Sequence, residues 1–497
     1  MMRRALMSDY VVRSCILAMS GWALSEIGNG ADIVSHAHAA AIVRSGAGGK
    51  QSTRPMIDDA DSPSSLQTSE EVEQPSSPDE ENKEVREQHE DHKEQRNHAR
   101  SFTDMFIQGY FSGYFRTLYY SSRNAFYAAG VNQDTVSYGG KIGYNTLPWH
   151  GFSAGVSAFF QRGIAHSRNP EKVNSYLAPD LTTIGEAYLQ YEGYGLKVVG
   201  GNQALDVPFA SSYDWRMAPQ LYQGISARYG DADNFIHVFK MFRYKSYTYN
   251  SFKNHTNYNS DFDAYSSIGN APSGGFWGAG VGHRWEINPV AISAQGWYQT
   301  YQDYAKFGYV EGQVIRSQGE FKPFLALQGF RQVGDGRRLL GHVNVLGGGA
   351  QIGLKRRSLT ISLGFDRMDP HAGSFRNGVL VTPYAHNVAS GPLFAQPLLT
   401  SAQDLGGGNA YALNITGAPA KHWFVAGRYS YMDLREQRGT PKIDQSEYLF
   451  LAAYSFGGAL KGLSISELAA LQVSPARDKK YFENRLTLQY EFGGPEN

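Results

Sequence analysis

The stretch GFSAG at residues 151–155 matches the G-x-S-x-G pattern of serine hydrolases, in which the serine is the nucleophile. That chemistry needs a strand, a sharp turn and then a helix, with a histidine and a carboxylate brought to the serine. Ser153 instead sits in HGFSAGVSAFFQRG, where apolar and polar residues alternate as in one continuous strand. We therefore expect no catalytic residue here. The nine histidines after residue 100 include no pair at metal-ligand spacing, so no metal and no cofactor is expected.

Cations form the second group of residues that could do chemistry, because they recur at one face of alternating segments. Arg228, for example, aligns with Ser226, and the opposite face carries Ile225. If the apolar face meets lipid, such cations line a lumen and can hold carboxylates transiently. The alternative is that they are lumen charges balanced by carboxylates such as Glu186 and Glu192. The cations placed in this way are Lys141, Lys197, Arg228, Arg284, Lys355 and Arg428.

The elements that must position these cations are strands. In the last one, RLTLQYEFGGPEN, Leu486, Leu488 and Tyr490 point one way and polar residues point the other. About 18 such segments follow one another from Phe106 to Phe492, each near the ~9–11 residues that a tilted strand needs to cross a bilayer. Stacked soluble sandwiches would also alternate, but they break into units of about 100 residues joined by linkers.

This pattern predicts an all-β fold: a transmembrane antiparallel β-barrel, with 18 strands and with constricting loops folded into the lumen. Closure of the barrel removes the exposed edges that so many strands would otherwise have. The last strand is then expected to pair with the first, and the apolar face to contact outer-membrane lipid. We expect the protein in the cell outer membrane of a Gram-negative-type bacterium.

Composition agrees with a barrel and excludes other classes. The 497 residues contain 55 glycines and 32 tyrosines, which favours strands and turns over helical bundles. No run of about 18 apolar residues occurs, so no spanning helix is expected in the mature chain. Beyond residue 100 there are 35 basic and 29 acidic residues, a net charge of +6. That excess is diffuse, and no nucleic-acid-binding motif accompanies it.

The first 100 residues differ from the rest. Residues 1–40 combine early arginines, a short apolar core around Cys15 and the small-x-small run at 37–39, which predicts a signal peptide. Residues 41–100 are polar and charged, and are predicted to form a disordered linker or periplasmic arm. The barrel is predicted over residues 101–497.

Three stretches resemble a known family. GGNQALDVPFASSYDWRMAPQLYQG, at 200–224, resembles the third-loop region of the OprD-like substrate-specific outer-membrane porins. GGKIGYNTLPWHGFSAGVSAFF is similar to that family's second hairpin. TPYAHNVASGPLFAQPLLTSAQDLGGGNAYALNITG is similar to its seventh-loop region. The resemblance covers most of 101–494. The elements that carry the third-loop likeness are Pro208, Asp214, Arg216, Pro219, Gln220, Tyr222 and Gly224.

The resemblance implies an 18-stranded barrel pore constricted by its third and seventh loops, with a ladder of basic residues that guides carboxylates. By strand counting, these loops are residues 204–219 and 367–408, after the fifth and thirteenth strands. Carried over onto this sequence, the constriction residues are Asp214, Arg216, Tyr384, His386, Phe394 and Asp404. Two features depart from the family: the acidic arm, and the GGPEN that continues past Phe492.

These observations predict a porin for facilitated diffusion of small carboxylate-bearing anions or zwitterions, such as amino acids or organic acids. We expect no enzyme activity and a monomer or a weak trimer. Two alternatives remain open. One is an outer-membrane barrel hydrolase, and the other is a structural or anchoring barrel whose 41–100 arm binds an envelope partner.

Overall fold

The computed structural model describes residues 98–494, apart from 165–166, 215, 260–267, 386–391, 401–405 and 435–443. The expected signal peptide at 1–40 lies outside the described residues, as does almost all of the 41–100 arm. Two of the expected constriction residues, His386 and Asp404, lie outside them as well.

The regular secondary structure of the described chain is almost entirely strand. One helix, α1 (Phe102–Ile107), precedes the strands, and Ser101 caps it by accepting a hydrogen bond from the Asp104 backbone N–H. The strands are β1 (Tyr110–Arg123), β2 (Gln133–Asn145), β3 (Phe152–Ile164), β4 (Leu181–Gly193), β5 (Leu196–Gln203), β6 (Asp206–Val207), β7 (Ala210–Ser211), β8 (Leu221–Gly230), β9 (Phe235–Lys245), β10 (Phe276–Ile287), β11 (Val290–Tyr301), β12 (Ala305–Arg316), β13 (Phe321–Gly334), β14 (Asn344–Arg356), β15 (Leu359–Met368), β16 (Gly408–Gly417), β17 (Trp423–Leu434), β18 (Asp444–Ser455), β19 (Leu463–Val473) and β20 (Tyr481–Gly493). Short 3-10 helices lie at Ala125–Tyr127, Pro170–Lys172, Phe375–Asn377 and Gly458–Leu460.

Eighteen of these strands form one closed antiparallel barrel, and β6 with β7 forms a separate small hairpin. Closure comes from the pairing of β1 with β20, which runs from Ser112 opposite Gly493 to Arg123 opposite Phe482. The predicted strand number and the predicted pairing of the last strand with the first are therefore confirmed.

The two ends of the barrel differ in the length of their connections. At one end, which we call the turn end, the connections are short, such as residues 194–195 and 357–358. At the other, the loop end, four connections are long: 165–180, loop 3 (204–220), loop 4 (246–275) and loop 7 (369–407). Loops 3 and 7 follow the fifth and thirteenth barrel strands, as strand counting predicted.

The outer surface of the barrel is an apolar band. On β20, Leu486, Leu488 and Tyr490 point outward and are 39–46% exposed, whereas Glu483 and Gln489 point inward and are buried. A continuous exposed apolar surface of this kind is typical of barrels whose outer face contacts lipid. No helix in the described part of the chain is long and apolar enough to span a bilayer.

Along β8–β17, the loop end of the lumen is occupied by a hydrophobic core. Side chains of loops 3, 4 and 7, including Phe209, Tyr258 and Tyr384, pack against inward-facing side chains of β8–β17. This core explains why FKPFLALQGFRQ shows no clean alternation: inward-facing Phe330 packs against Phe209 while the outward face is apolar too. NFIHVFKMFRYK is irregular because the pairing of β8 with β9 shifts register at Gln223–Gly224.

Candidate functional site

Loop 3 enters the lumen as a hairpin. Its tip residue Phe209 is fully buried, with its ring 5.2 Å from that of Phe307 and 5.8 Å from that of Tyr309. The backbone carbonyl of Pro208 accepts a hydrogen bond from Gln299 Nε2 at 2.8 Å. Because β11 and β12 carry these wall residues, the hairpin leaves β5 and docks several strands away around the barrel.

An ion pair joins the base of loop 3 to the first strand. Both terminal nitrogens of Arg116 on β1 donate to the two carboxylate oxygens of Asp214, each at 2.7 Å. The guanidinium also donates to the backbone carbonyl of Arg216 at 2.5 Å and to Gln489 Oε1 at 2.6 Å. The two paired side chains are only 7% and 5% exposed. Asp214 therefore fixes loop 3 against the closing strands β1 and β20.

Further charges complete this group. On β20, Arg485 Nε donates to Glu483 Oε1 at 2.6 Å. The Arg216 guanidinium lies 5.2 Å from the centre of the Tyr176 ring and interacts electrostatically with Glu483 and Arg485. We call Arg116, Asp214, Arg216, Glu483 and Arg485 the loop 3 cluster. Three guanidinium groups and two carboxylates give it a net charge of +1.

Loop 7 is held by two carboxylates of the inner wall. Asp366 on β15 accepts hydrogen bonds from the backbone N–H groups of Phe394 and Ala395, at 3.1 and 2.6 Å. Glu447 on β18 accepts from the N–H groups of residues 398–399, at 2.7 and 2.9 Å. Charged acceptors form stronger bonds with backbone N–H groups than neutral ones do. Each carboxylate thus fixes one short piece of loop backbone.

Arg428 on β17 binds the same loop as a hydrogen-bond donor, whereas the two carboxylates are acceptors. Its guanidinium donates to the backbone carbonyls of Gln396 at 2.7 Å and Phe394 at 3.3 Å, and to the side chain of Asn414. The side chain is 4% exposed. Arg428 was predicted as a cation of an open lumen, and it lies beneath loop 7, bonded to the loop's backbone.

Tyr384, another expected constriction residue, lies in the core between the loops. Its ring stacks on Phe276 with 4.4 Å between centroids, and its hydroxyl lies 2.6 Å from Ser273 Oγ in loop 4. Its backbone carbonyl accepts a hydrogen bond from the Tyr222 hydroxyl at 2.7 Å. The neighbouring Pro383 carbonyl accepts from the Asn257 backbone N–H at 2.8 Å. Loop 4, which the sequence did not indicate, therefore takes part in the loop packing.

Four of the six predicted lumen cations cluster at the turn end, each close to the end of its strand: Lys197, Arg228, Arg284 and Lys355. Lys197 Nζ lies 3.7 Å from a Glu192 carboxylate oxygen, and Arg284 Nε lies 2.6 Å from one of Glu286. Arg228 donates to the backbone carbonyl of Asp231 at 2.7 Å. These four cations line part of one mouth of the barrel, on β5, β8, β10 and β14, and we call them the basic ring.

The remaining cation, Lys141, lies farther from the mouth and pairs with Glu186. Glu186 also accepts a hydrogen bond from Ser157 at 2.8 Å. Lys141 Nζ is 5.8 Å from the centre of the Phe159 ring, in the inner wall. Glu186 and Glu192 thus balance lumen cations, as one of the two interpretations of the sequence supposed.

The structure brings Asp214 and Arg216 together with three residues that were not selected from the sequence: Arg116, Glu483 and Arg485. Alternation already placed Arg485 on the inward face of the last strand, so that signal was available. Arg116 was harder to find, because its inward neighbours Tyr114 and Leu118 are apolar. Inward-facing Tyr114 and Leu118 are apolar because they pack against loop residues. Tyr114, for example, donates a hydrogen bond to the Met217 carbonyl of loop 3.

The hydrolase motif lies within β3, which continues as strand from Phe152 to Ile164. Ser153 therefore has no helix after it and lacks the strand-turn-helix context that the motif needs. Among the described residues, no three His, Cys, Asp or Glu side chains are grouped so as to hold a metal ion.

Solved structures with the same fold include an outer-membrane protein and a porin of Pseudomonas. OpdK from Pseudomonas aeruginosa, in complex with vanillate, matches with a TM-score of 0.64 and 12% identity, over 78% of this chain and 100% of that one. OccK9 (OpdG) from the same organism gives 0.66 and 18%, over 78% and 99%. A BenF-like porin from Pseudomonas fluorescens Pf-5 gives 0.65 and 12%, over 78% and 100%.

No protein-family model and no curated protein sequence matches the chain. At identities of 12–18%, the likeness to these structures concerns the fold. The chain is a closed 18-stranded antiparallel β-barrel with the architecture of the OpdK-type and BenF-like porins.

Proposed function

We propose that the protein is an outer-membrane channel through which small carboxylate-bearing solutes, such as organic acids or amino acids, diffuse. The observation that carries this proposal is the loop 3 cluster, in which a loop folded into a closed barrel meets the wall with net positive charge. Proteins of the same fold support it, since one is named as a porin and another is described with vanillate, an aromatic carboxylate. The loop end would face outward and the turn end the periplasm, as in bacterial barrels.

The mechanism is diffusion between partnered cations. A carboxylate that enters at the loop end meets the loop 3 cluster and competes with Asp214 and Glu483 for guanidinium N–H groups. It then passes Lys141 and leaves through the basic ring at the turn end. Because every step exchanges one carboxylate partner for another, each cation holds the solute weakly enough to release it. No covalent chemistry is required of the chain.

The constriction residues divide into two roles in this proposal. Arg216 of the loop 3 cluster acts on the solute directly, whereas Asp214 holds loop 3 against β1 and β20. Tyr384, Phe394 and Arg428 hold loops 4 and 7 in place, and so set the width of the path indirectly.

Planar bilayer recording of the purified protein tests the proposal. Under a potassium chloride gradient, discrete current steps with a reversal potential that favours anions are expected, and small carboxylates should block the current. A neutral solute of the same size is the control. A folded barrel that carries no current would contradict the proposal and would favour the anchoring or enzyme alternatives.

A further inference from the structure

A carboxylate lies on the lipid-facing side of the barrel, close to the middle of a strand. Glu467 is the fifth residue of the 11-residue strand β19 and shares its outward face with Ile465. Leu468, on the opposite face, is buried beneath loop 7. On the neighbouring strand, Asn484 points outward like Leu486, and its side-chain amide donates a hydrogen bond to the Glu467 carboxylate.

Such a pair is unfavourable against hydrocarbon, which offers no hydrogen-bond partners. Lys240, also outward-facing, shows the usual solution: its Nζ reaches the loop end and donates to the Gly274 carbonyl at 3.0 Å and to Gln302 at 3.1 Å. Glu467 has no such route, because its partner Asn484 is itself on the lipid side. In the described part of the chain, no basic side chain forms an ion pair with Glu467.

Two small residues flank this pair. Ala452 of β18 lies directly across from Glu467, and Ala469 of β19 lies directly across from Asn484. Around them stand larger exposed side chains such as Phe450, which is 52% exposed. Within membranes, small residues let two protein surfaces approach closely enough for polar side chains to hydrogen-bond across the contact.

We propose that this face, formed by Ala452, Glu467, Ala469 and Asn484, contacts a second copy of the chain around a two-fold axis. Within one chain, Asn484 uses one of its two N–H groups and Glu467 one of its two oxygens. The same patch therefore keeps a donor and an acceptor, and two copies of it are complementary. Each Asn484 donates its second N–H to the Glu467 of the other chain, as an isologous contact requires.

Cross-linking of the full chain in lipid nanodiscs tests the proposal, without reference to conduction. Ala469→Cys is introduced into a Cys15→Ser background, which removes the single native cysteine. Ala279→Cys is the matched control, because Ala279 is an exposed outward-facing alanine on β10, nine barrel strands away. Oxidation is expected to join the Ala469→Cys chains as dimers and to leave the Ala279→Cys chains as monomers. Equal cross-linking of the two variants would overturn the proposal.

Substitution of the carboxylate separates association from the cost of lipid exposure. Glu467→Leu is expected to lower the dimer association constant by about tenfold, which is the loss typical of two membrane-embedded hydrogen bonds. Glu467→Gln should keep the dimer, since an amide can both donate and accept. If Glu467→Leu leaves association unchanged and only increases resistance to unfolding, Glu467 is merely a lipid-exposed charge and the proposal is wrong.

Discussion

Asp214 and Arg116 are 98 residues apart in the chain and form a two-point ion pair inside the barrel, with both nitrogen–oxygen distances at 2.7 Å. One partner belongs to the first strand and the other to loop 3. The pair therefore couples the closure of the barrel, where β1 meets β20, to the position of the loop that narrows the lumen.

Asp214→Asn should loosen loop 3. The substitution leaves the guanidinium of Arg116 without its carboxylate, and removal of one partner from a buried ion pair costs about 3 kcal/mol. Urea unfolding in lipid vesicles should show that loss, and single-channel recordings should show greater current noise. Asp478→Asn, in an exposed connection at the loop end, is the control and should change neither.

Arg216→Gln should reduce anion preference while the barrel stays folded. It removes one of three guanidinium groups and brings the loop 3 cluster to zero net charge. A hydrogen bond to a charged group contributes roughly 1.5–3 kcal/mol, so block by a small carboxylate should weaken by about tenfold. Arg316→Gln removes an exposed cation at the turn end of β12 and serves as the control. An unchanged reversal potential in Arg216→Gln would contradict a solute-contacting role for the cluster.

Arg428→Met should have a different effect from Arg216→Gln. The variant removes the donor that holds the backbone carbonyls of Phe394 and Gln396, so loop 7 is expected to move. We expect frequent transitions between conductance levels, with ion preference nearly unchanged. Lys355→Met at the turn end is the matched control, and it should alter ion preference without adding transitions. Identical recordings from the two variants would argue against an anchoring role for Arg428.

Glu447→Gln tests the carboxylate side of the same anchor. Glu447 accepts from two backbone N–H groups of loop 7 and from Gln472 Nε2 at 2.8 Å. An amide presents its own N–H groups to those donors, which should cost about 1–3 kcal/mol in the free energy of unfolding. Glu192→Gln, at the half-exposed pair with Lys197, is the control and should have a much smaller effect. Equal losses in the free energy of unfolding would show that the contact of Glu447 with loop 7 stabilises the fold no more than the Glu192–Lys197 pair does.

Acid should release one contact between two connections at the loop end. Arg337 donates to both carboxylate oxygens of Asp303, at 3.0 and 2.9 Å, and these bonds hold the pKa of Asp303 below its usual value of 3.8. A lowered pKa means that the contact stabilises the fold above the unfolded pKa and is lost as pH falls through the folded one. The protection of backbone amides around residues 303 and 337 against hydrogen exchange, relative to their intrinsic exchange rates, should therefore fall only below about pH 4. Asp303→Asn should show fast exchange already at neutral pH.

Alternation of apolar and polar residues in the sequence was sufficient to predict the wall of the barrel. Side chains on a strand change face at every residue, so an apolar row such as Leu486, Leu488 and Tyr490 already defines an outer surface. Repetition of that pattern gave the strand number, and the need to remove edges gave closure. The same rule placed Lys141 and Arg284 on the inner face, where the structure finds them paired with Glu186 and Glu286.

The tertiary structure alone decided what the inner face touches. Loops 3, 4 and 7 cover much of it, so inward positions are apolar where a loop packs and charged where a loop is anchored or a mouth is lined. Period-two patterning specifies a face and carries no information about its partner, because that partner comes from residues distant in the chain. Arg428 therefore binds loop 7, Tyr384 packs in the core between the loops, and Arg116 pairs with Asp214. No local pattern in the sequence could assign these partners.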